Sequence, residues 1–187
     1  MVPLTSLLVP MLVSAVIVFV ASSILHMFLK YHYNDVVPVP NEDAVMNALR
    51  PFNIPPGDYM TPKAASMKEM KEPAFTEKLK RGPIFVMTVL PTGPFNMGKS
   101  LTQWFVYCVI IALFAAYVAS RTLAPGSPYL SVFRIVGTVA FIGFVGGQWQ
   151  DSIWWNRKWS TTLKNTVDGL VYALLTAGTF GWLWPEQ

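Results

Sequence analysis

The chain has 187 residues, of which 53% are hydrophobic and 13% are charged, and its mean hydropathy is +0.42. Because soluble domains carry about 25% charged residues, this composition excludes a soluble enzyme as the first hypothesis and indicates an integral membrane protein. The lone Cys108 excludes an intramolecular disulfide and a thiolate metal cage, and the modest, dispersed net charge of +4 predicts no nucleic-acid partner.

The first predicted element is a membrane-spanning helix within residues 1–30. Residues 1–29 contain no Asp, Glu, Lys or Arg, and the 26 residues from Leu4 to Leu29 suffice, at about 1.5 Å per residue, to cross about 30 Å of hydrocarbon. The alternative is a signal peptide cleaved near Ala21. It is disfavoured because no basic segment precedes the apolar run, which is also too long for such a peptide.

Residues 31–100 follow as an insert that is too long to be a mere connection. Between Lys30 and Lys99 there are nine basic side chains, seven acidic side chains and ten prolines, which predicts a small subdomain at the cytoplasmic membrane surface. The excess of basic residues favours docking on anionic lipid headgroups. A simple solvated charged surface is an equally good interpretation.

Short helices are predicted inside this insert. Asn41, Glu42 and Asp43 precede a predicted helix over residues 44–50. A second helix is predicted over residues 74–81, because Pro73 suits the start of a helix and Gly82 suits the position after its end. Ser66 and Glu69 also have the spacing of a capping box. The insert is therefore predicted to be partly helical.

The segment 82–98 is apolar but is interrupted by three prolines, so a helical span is not expected there. Residues Ile84–Leu90 are rich in β-branched side chains and are predicted to pair as a strand with Gly57–Thr61. The alternative is a re-entrant loop, which needs protein or water around its backbone.

A sequence of the phosphate-loop type ends this segment. Gly93, Gly98, Lys99 and Ser100 have the required spacing. However, Pro94 removes one backbone donor, and no downstream strand with a magnesium-binding Asp follows. The interpretation is a cytoplasmic turn in which Lys99 anchors the next helix at the membrane surface.

Three further spans are predicted in the last part of the chain, over residues 101–122, 129–150 and 162–184. The fold class is thus all-α, with four transmembrane helices, a partly helical insert between the first two and a possible short β-hairpin. The loops on the insert side carry about twelve basic residues and the other loops about two, which places both termini outside the cell.

Ionisable side chains inside spans are expensive to bury, so His26, Lys164, Asp168 and Arg134 are the candidate intramembrane polar site. The predicted depths allow His26 to pair with Asp168, as in a proton relay. Lys164, four residues before Asp168, is the favoured partner for a purely local ion pair. Arg134 is predicted near the opposite membrane surface and too far away for a direct bridge to Asp168.

Small residues at spacings of four predict close helix packing on the third and fourth spans. The residues are Gly143, Gly147, Ala173, Ala177 and Gly181. Packing between consecutive helices of one chain and packing between subunits are both compatible with this pattern.

The sequence predicts no catalytic, metal-binding or cofactor-binding motif. His26 is the only histidine within a predicted span, with His32 assigned to the loop beyond it, so a bis-histidine haem is not expected. No zinc-protease motif, cysteine pair or Ser-His-Asp spacing is present.

Three segments resemble a family of uncharacterised bacterial inner-membrane proteins with this four-span layout. They are GPIFVMTVLPTGPFNMGKSL, VFRIVGTVAF and DGLVYALLTAGTFGWLWP, at residues 82–101, 132–141 and 168–185. The resemblance extends over most of the chain and implies a bacterial inner membrane. It implies no activity and no site residue.

These features predict a non-enzymatic accessory subunit or scaffold that works with other membrane proteins or with copies of itself. The alternative is a homo-oligomeric channel or a proton-coupled transporter using His26 and Asp168. An enzyme acting on lipid or quinone is the third hypothesis, and it has no recognisable acid, base or nucleophile to support it.

Overall fold

A computed structural model describes residues 1–186, and the chain divides into two units. The first contains Met1–Val36 together with the chain from Asn96 onward, and the second is Val37–Phe95. His32 and Asp35, which lie in the predicted insert, belong to the first unit. The described chain is mostly helical, with one small sheet.

The first unit is a bundle of helices. They are α1 (Leu8–Met27), α5 (Met97–Thr122), α6 (Tyr129–Val145), α7 (Trp149–Trp155) and α8 (Trp159–Trp182), with α2–α4 lying in the second unit. Three stretches are long and apolar enough to cross a membrane: Leu4–Met27, Met97–Thr122 and Tyr129–Trp155. The prediction of a helical protein with apolar membrane-spanning segments is confirmed to that extent.

Several predicted helix bounds differ from the structure: α5 starts at Met97 rather than at residue 101, and α8 ends at Trp182 rather than at residue 184. The third helix, predicted to reach residue 150, ends at Val145, and the turn after it contains Gly146 and Gly147, which are poor helix formers. The last helix starts at Trp159 rather than at residue 162. α8 is 24 residues long but is not among the three apolar stretches, because polar residues are concentrated in its first half.

The interior of the bundle is apolar along most of its length. Helices α1, α5, α6 and α8 contribute two buried clusters, one around Leu7, Val136 and Phe180 and the other around Val18 and Phe144. The opposite sides of these helices expose large apolar side chains. Such an arrangement is expected of helices whose outer faces contact lipid.

Small residues allow the helices to approach closely. An added Cβ at Gly143 would lie 2.6 Å from Ile111 Cδ1, and one at Gly181 would lie 2.6 Å from the Tyr129 ring. Ala173 and Ala177 are buried in the same interior. A Cβ at Gly147 would meet nothing within 4 Å. Apart from Gly147, the predicted small-residue positions therefore pack within this chain.

One end of the bundle brings the first residues, the α5–α6 turn and the end of α8 together. The backbone N–H of Val2 donates to the carbonyl of Ser120 at 3.3 Å, and that of Gly126 donates to the carbonyl of Pro185 at 2.8 Å. The Trp184 indole donates to the carbonyl of Ala124 at 3.0 Å. α8 therefore ends where α1 begins.

The second unit contains short elements. These are α2 (Glu42–Leu49), β1 (Gly57–Thr61), α3 (Met67–Met70), α4 (Pro73–Arg81) and β2 (Phe85–Val89). β1 and β2 are antiparallel, with Tyr59 opposite Met87, so the predicted strand pairing is confirmed. The Ser66 hydroxyl accepts a hydrogen bond from the Glu69 N–H, as a capping residue does.

This second unit has almost no interior of its own. Phe75 is its one buried residue, while Phe52, Met67 and Phe95 are about 70% exposed, at 72%, 68% and 70%. A segment of this length needs a sizeable apolar core to be stable on its own. Its apolar side chains are available for contact with another surface.

Candidate functional site

A cluster of charged side chains lies at the other end of the bundle, where α1 ends. Its centre is His32, whose Nε2 lies 2.7 Å from Asp168 Oδ2 and whose Nδ1 lies 2.6 Å from Asp35 Oδ2. The side chain of His32 is 14% exposed, and that of Asp168 is 4% exposed. Both ring nitrogens of a largely buried histidine are therefore held by carboxylates.

His26 is the second imidazole of the cluster. Its ring is stacked on that of His32, with the centroids 4.6 Å apart and the planes 5° from parallel. His26 Nε2 lies 3.8 Å from Asp168 Oδ2, and its Nδ1 lies 3.0 Å from the Ser22 carbonyl oxygen. The predicted proximity of His26 and Asp168 is present, but His32 is the closer partner of this carboxylate.

Lys164 contacts Asp35 and not Asp168, the carboxylate that its four-residue spacing on the helix suggests. Its Nζ donates to Asp35 Oδ1 at 2.7 Å and to the Tyr31 carbonyl oxygen at 2.5 Å. Burial tends to raise the pKa of Asp35, but the hydrogen bonds and positive charges of Lys164 and His32 outweigh it and lower that pKa. Asp168 is thus left to the histidines, and the expected local Lys164–Asp168 pair does not form.

The chain direction after α1 explains how these groups meet. α1 ends at Met27, and a single 3-10 turn, Lys30–His32, redirects the backbone beside the first half of α8. The Asp35 N–H donates to the His32 carbonyl at 3.0 Å, which keeps the His32 and Asp35 side chains on the same side of this turn. Both histidines line a recess on the surface at this point.

Arg134 takes no part in this cluster. It lies on α6 with its side chain exposed, and within residues 1–186 no ion pair involves it.

Exposed tryptophans are concentrated on α7 and at the start of α8. Trp149, Trp154, Trp155 and Trp159 are all exposed, and the Trp149 indole donates to the Thr166 hydroxyl at 3.1 Å. Trp182 is exposed at the opposite end. Indole rings that are apolar with one polar edge are favoured at the level of lipid headgroups.

The cluster is chemically suited to holding a cation. The ligand atoms of His26, His32 and Asp168 all lie within 4.8 Å of one another. Two imidazoles and one carboxylate offer lone pairs, and the surrounding Asp35 and Lys164 balance each other's charge.

Sequence reasoning found His26, Asp168 and Lys164 but placed His32 and Asp35 outside the site. Asp168 is 136 residues from His32, and no local spacing links the two. The available signal is that His26, His32 and Asp35 come within ten residues at the end of an apolar span. If the chain turns back directly after this span, the side chains of His26, His32 and Asp35 all lie against the bundle.

In comparisons with protein-family models, with characterised proteins and with solved structures, nothing matches this chain. Its function must therefore be argued from the site and from the two units.

Proposed function

We propose that this protein is a four-span bacterial inner-membrane protein that serves as a non-enzymatic accessory subunit, with its insert on the cytoplasmic side and both termini outside. The observation that carries the proposal is the second unit, Val37–Phe95, in which Phe75 alone is buried. A unit with exposed apolar side chains and so small a core is suited to docking on another protein.

The polar cluster supports the same role. Residues 31–35 lead from α1 towards the insert, and Lys164 and Asp168 bind them to α8 through Tyr31, His32 and Asp35. This network fixes the point at which the chain leaves the bundle. The residues that lead into the docking unit are therefore held against α8.

Transport by this chain alone has less support, because among residues 1–186 the charged side chains do not continue through the bundle. The buried hydroxyls of Ser14 and Thr176 donate to carbonyls of their own helices, those of Met11 and Tyr172. Around them the interior is filled by apolar side chains. A transport path requires polar groups or water along its length.

Native mass spectrometry of the protein extracted gently from its own membranes tests the accessory role. We expect a stoichiometric complex with a second protein, and we expect Phe52→Glu with Met67→Glu to release that partner. Lys63→Gln, an exposed change in the same unit, is the matched control and should retain it.

Proteoliposomes test the alternative of a channel or a proton-coupled transporter. We expect no proton or cation flux above that of empty liposomes. A homo-oligomer without a foreign partner, together with flux that Asp168→Asn abolishes, would replace the accessory role by a transport role.

A further inference from the structure

We propose that His26, His32 and Asp168 form a binding site for one divalent transition-metal ion, with Zn²⁺ as the ion that fits best. This site is independent of the accessory role. It is assigned from the positions of the three side chains and of the groups that hold them.

The separations of the ligand atoms are close to those of a zinc site. Ligands at about 2.0–2.1 Å from a tetrahedral Zn²⁺ are about 3.3 Å from one another. Asp168 Oδ2 lies 2.7 Å from His32 Nε2 and 3.8 Å from His26 Nε2. Shifts of about half an ångström in side-chain position bring these two pairs to that spacing. The third pair, His26 with His32, has ligand atoms within 4.8 Å of one another and must close by up to about 1.5 Å. The His26 side chain is 49% exposed, so its ring is free to tilt out of the stack as it turns its lone pair towards the ion.

The second nitrogen of each imidazole is already occupied in the way that metal-binding histidines require. His26 Nδ1 faces the Ser22 carbonyl oxygen, which can only accept, so this nitrogen carries the proton and Nε2 keeps its lone pair. His32 Nδ1 donates to Asp35 in the same manner. Without the ion, His32 Nε2 donates its own proton to Asp168 Oδ2 at 2.7 Å, and the ion takes the place of that proton, which is released on binding. Carboxylate and carbonyl acceptors behind a histidine orient the ring and raise its basicity as a ligand.

Further contacts hold these acceptors in place. Lys164 binds the other oxygen of Asp35, and the Ser22 hydroxyl accepts a hydrogen bond from the Trp104 indole at 2.7 Å. Lys164 is the positive group nearest in sequence to Asp168, and its Nζ is taken up by Asp35 and by the Tyr31 carbonyl. The attraction of Asp168 for a cation is therefore not cancelled by Lys164.

The donor set selects the class of ion. Imidazole nitrogens suit Zn²⁺ and its transition-metal neighbours, whereas Mg²⁺ and Ca²⁺ prefer sites made entirely of oxygen. Three protein ligands also leave a fourth position, which the surface recess beside His26 and His32 opens to water.

The test is equilibrium dialysis of the full-length, tag-free protein in nanodiscs against Zn²⁺ alone, followed by measurement of bound metal. We expect one Zn²⁺ per chain, and no displacement by a large excess of Mg²⁺. Co²⁺ bound in its place should show the visible absorption bands of a four-coordinate ion.

His26→Ala is the decisive variant, because its half-exposed ring can be removed without disturbing the fold. We expect its Zn²⁺ affinity to fall at least 100-fold while its Tm without metal stays within about 2 °C of the wild type. Asp35→Asn, which removes the carboxylate behind His32 and the ion-pair partner of Lys164, should weaken binding about 10-fold to 100-fold.

Asp151→Asn is the matched control at the same end of the bundle. Its carboxylate is 49% exposed and lies 3.9 Å from Arg157 Nε, outside the cluster. This variant should bind Zn²⁺ like the wild type. The site assignment is overturned if the wild type binds no stoichiometric Zn²⁺, or if His26→Ala binds it with unchanged affinity.

Discussion

Lys164 and Asp35 form the ion pair that joins the chain after α1 to α8. The side chain of Asp35 is 12% exposed and that of Lys164 is 29% exposed, so solvent screens this pair only in part. Removing the ammonium group leaves a largely buried carboxylate with His32 as its remaining partner. The pair is therefore a structural element of the cluster and not a surface contact.

We predict that Lys164→Met lowers the stability of the purified protein by about 1–3 kcal/mol, the range for a buried polar group that loses its partner, because this pair is partly exposed and Asp35 keeps His32 as a partner. The measurement is the thermal unfolding midpoint in one detergent at one pH. Lys80→Met is the control, because Lys80 and Glu77 form an ion pair whose side chains are 67% and 56% exposed. Such exposed pairs contribute little.

A double-mutant cycle that combines Lys164→Met with Asp35→Asn separates the energy of the Lys164–Asp35 pair from the other effects of losing Lys164. We expect the two changes together to cost less than the sum of the single changes. Strict additivity would show that Lys164 acts through the Tyr31 carbonyl and not through Asp35.

Part of this site follows from the sequence, and the rest depends on a long-range contact. The predicted depth of each residue within its span places His26 near Asp168, because both residues are predicted to lie near the same membrane surface. The spacing of Lys164 and Asp168 on α8 indicates a local pair, and it gives no information about a competing carboxylate on a distant segment. Asp35 takes Lys164 because the turn at Lys30–His32 carries it back to α8.

At the level of helices, α6 and α8 are tightly packed at Gly169. A Cβ on this residue would lie 2.3 Å from Val145 Cγ2 and 3.4 Å from Phe144 Cβ. Val145 is the last residue of α6 and is itself buried, so it has little room to move. Gly169 also directly follows Asp168, so its packing helps to fix the carboxylate of the cluster.

We predict that Gly169→Ala lowers the Tm, because overpacking costs about 1–3 kcal/mol and exceeds the gain of about 1 kcal/mol in helix propensity. Gly178→Ala on the same helix is the matched control. A Cβ there would lie 3.5 Å from the Tyr129 hydroxyl, which is an ordinary contact. That variant should be as stable as the wild type or more so. Equal Tm changes in the two variants would contradict the close approach at Gly169.

At the scale of the whole molecule, the hydropathy pattern predicts three apolar helices well because each contains a long apolar run with at most one charged residue inside it. It places the ends of α6 and α8 less well, because Gly146, Gly147 and the tryptophans around them are compatible with helix and turn alike. The strand pair was predictable from β-branched residues in Phe85–Val89 and a short partner, Gly57–Thr61. The buried fraction of the insert depends on contacts between residues that are far apart in the sequence. The sequence pattern alone therefore does not predict it.

The number of membrane crossings depends on α8, which is less apolar than the other three long stretches. Its 24 residues extend about 36 Å, enough for a hydrocarbon core of about 30 Å. It starts beside the end of α1 and finishes beside the first residues of the chain, where Trp184 and Pro185 contact the α5–α6 turn. If α1 crosses the membrane, a helix packed along its length crosses with it.

Cysteine labelling in spheroplasts distinguishes four crossings from three, because the two arrangements put the last residues on opposite sides. Glu186 is exposed, and the native Cys108 is 2% exposed within the bundle, so wild-type protein should remain unlabelled by an impermeant maleimide. We predict that Glu186→Cys is labelled in intact spheroplasts. Lys63→Cys, in the insert, should be labelled only after the membrane is permeabilised. Labelling of both positions only after permeabilisation would mean that α8 lies on the cytoplasmic side, and the cluster around Asp168 would then belong to a surface helix and not to a fourth span.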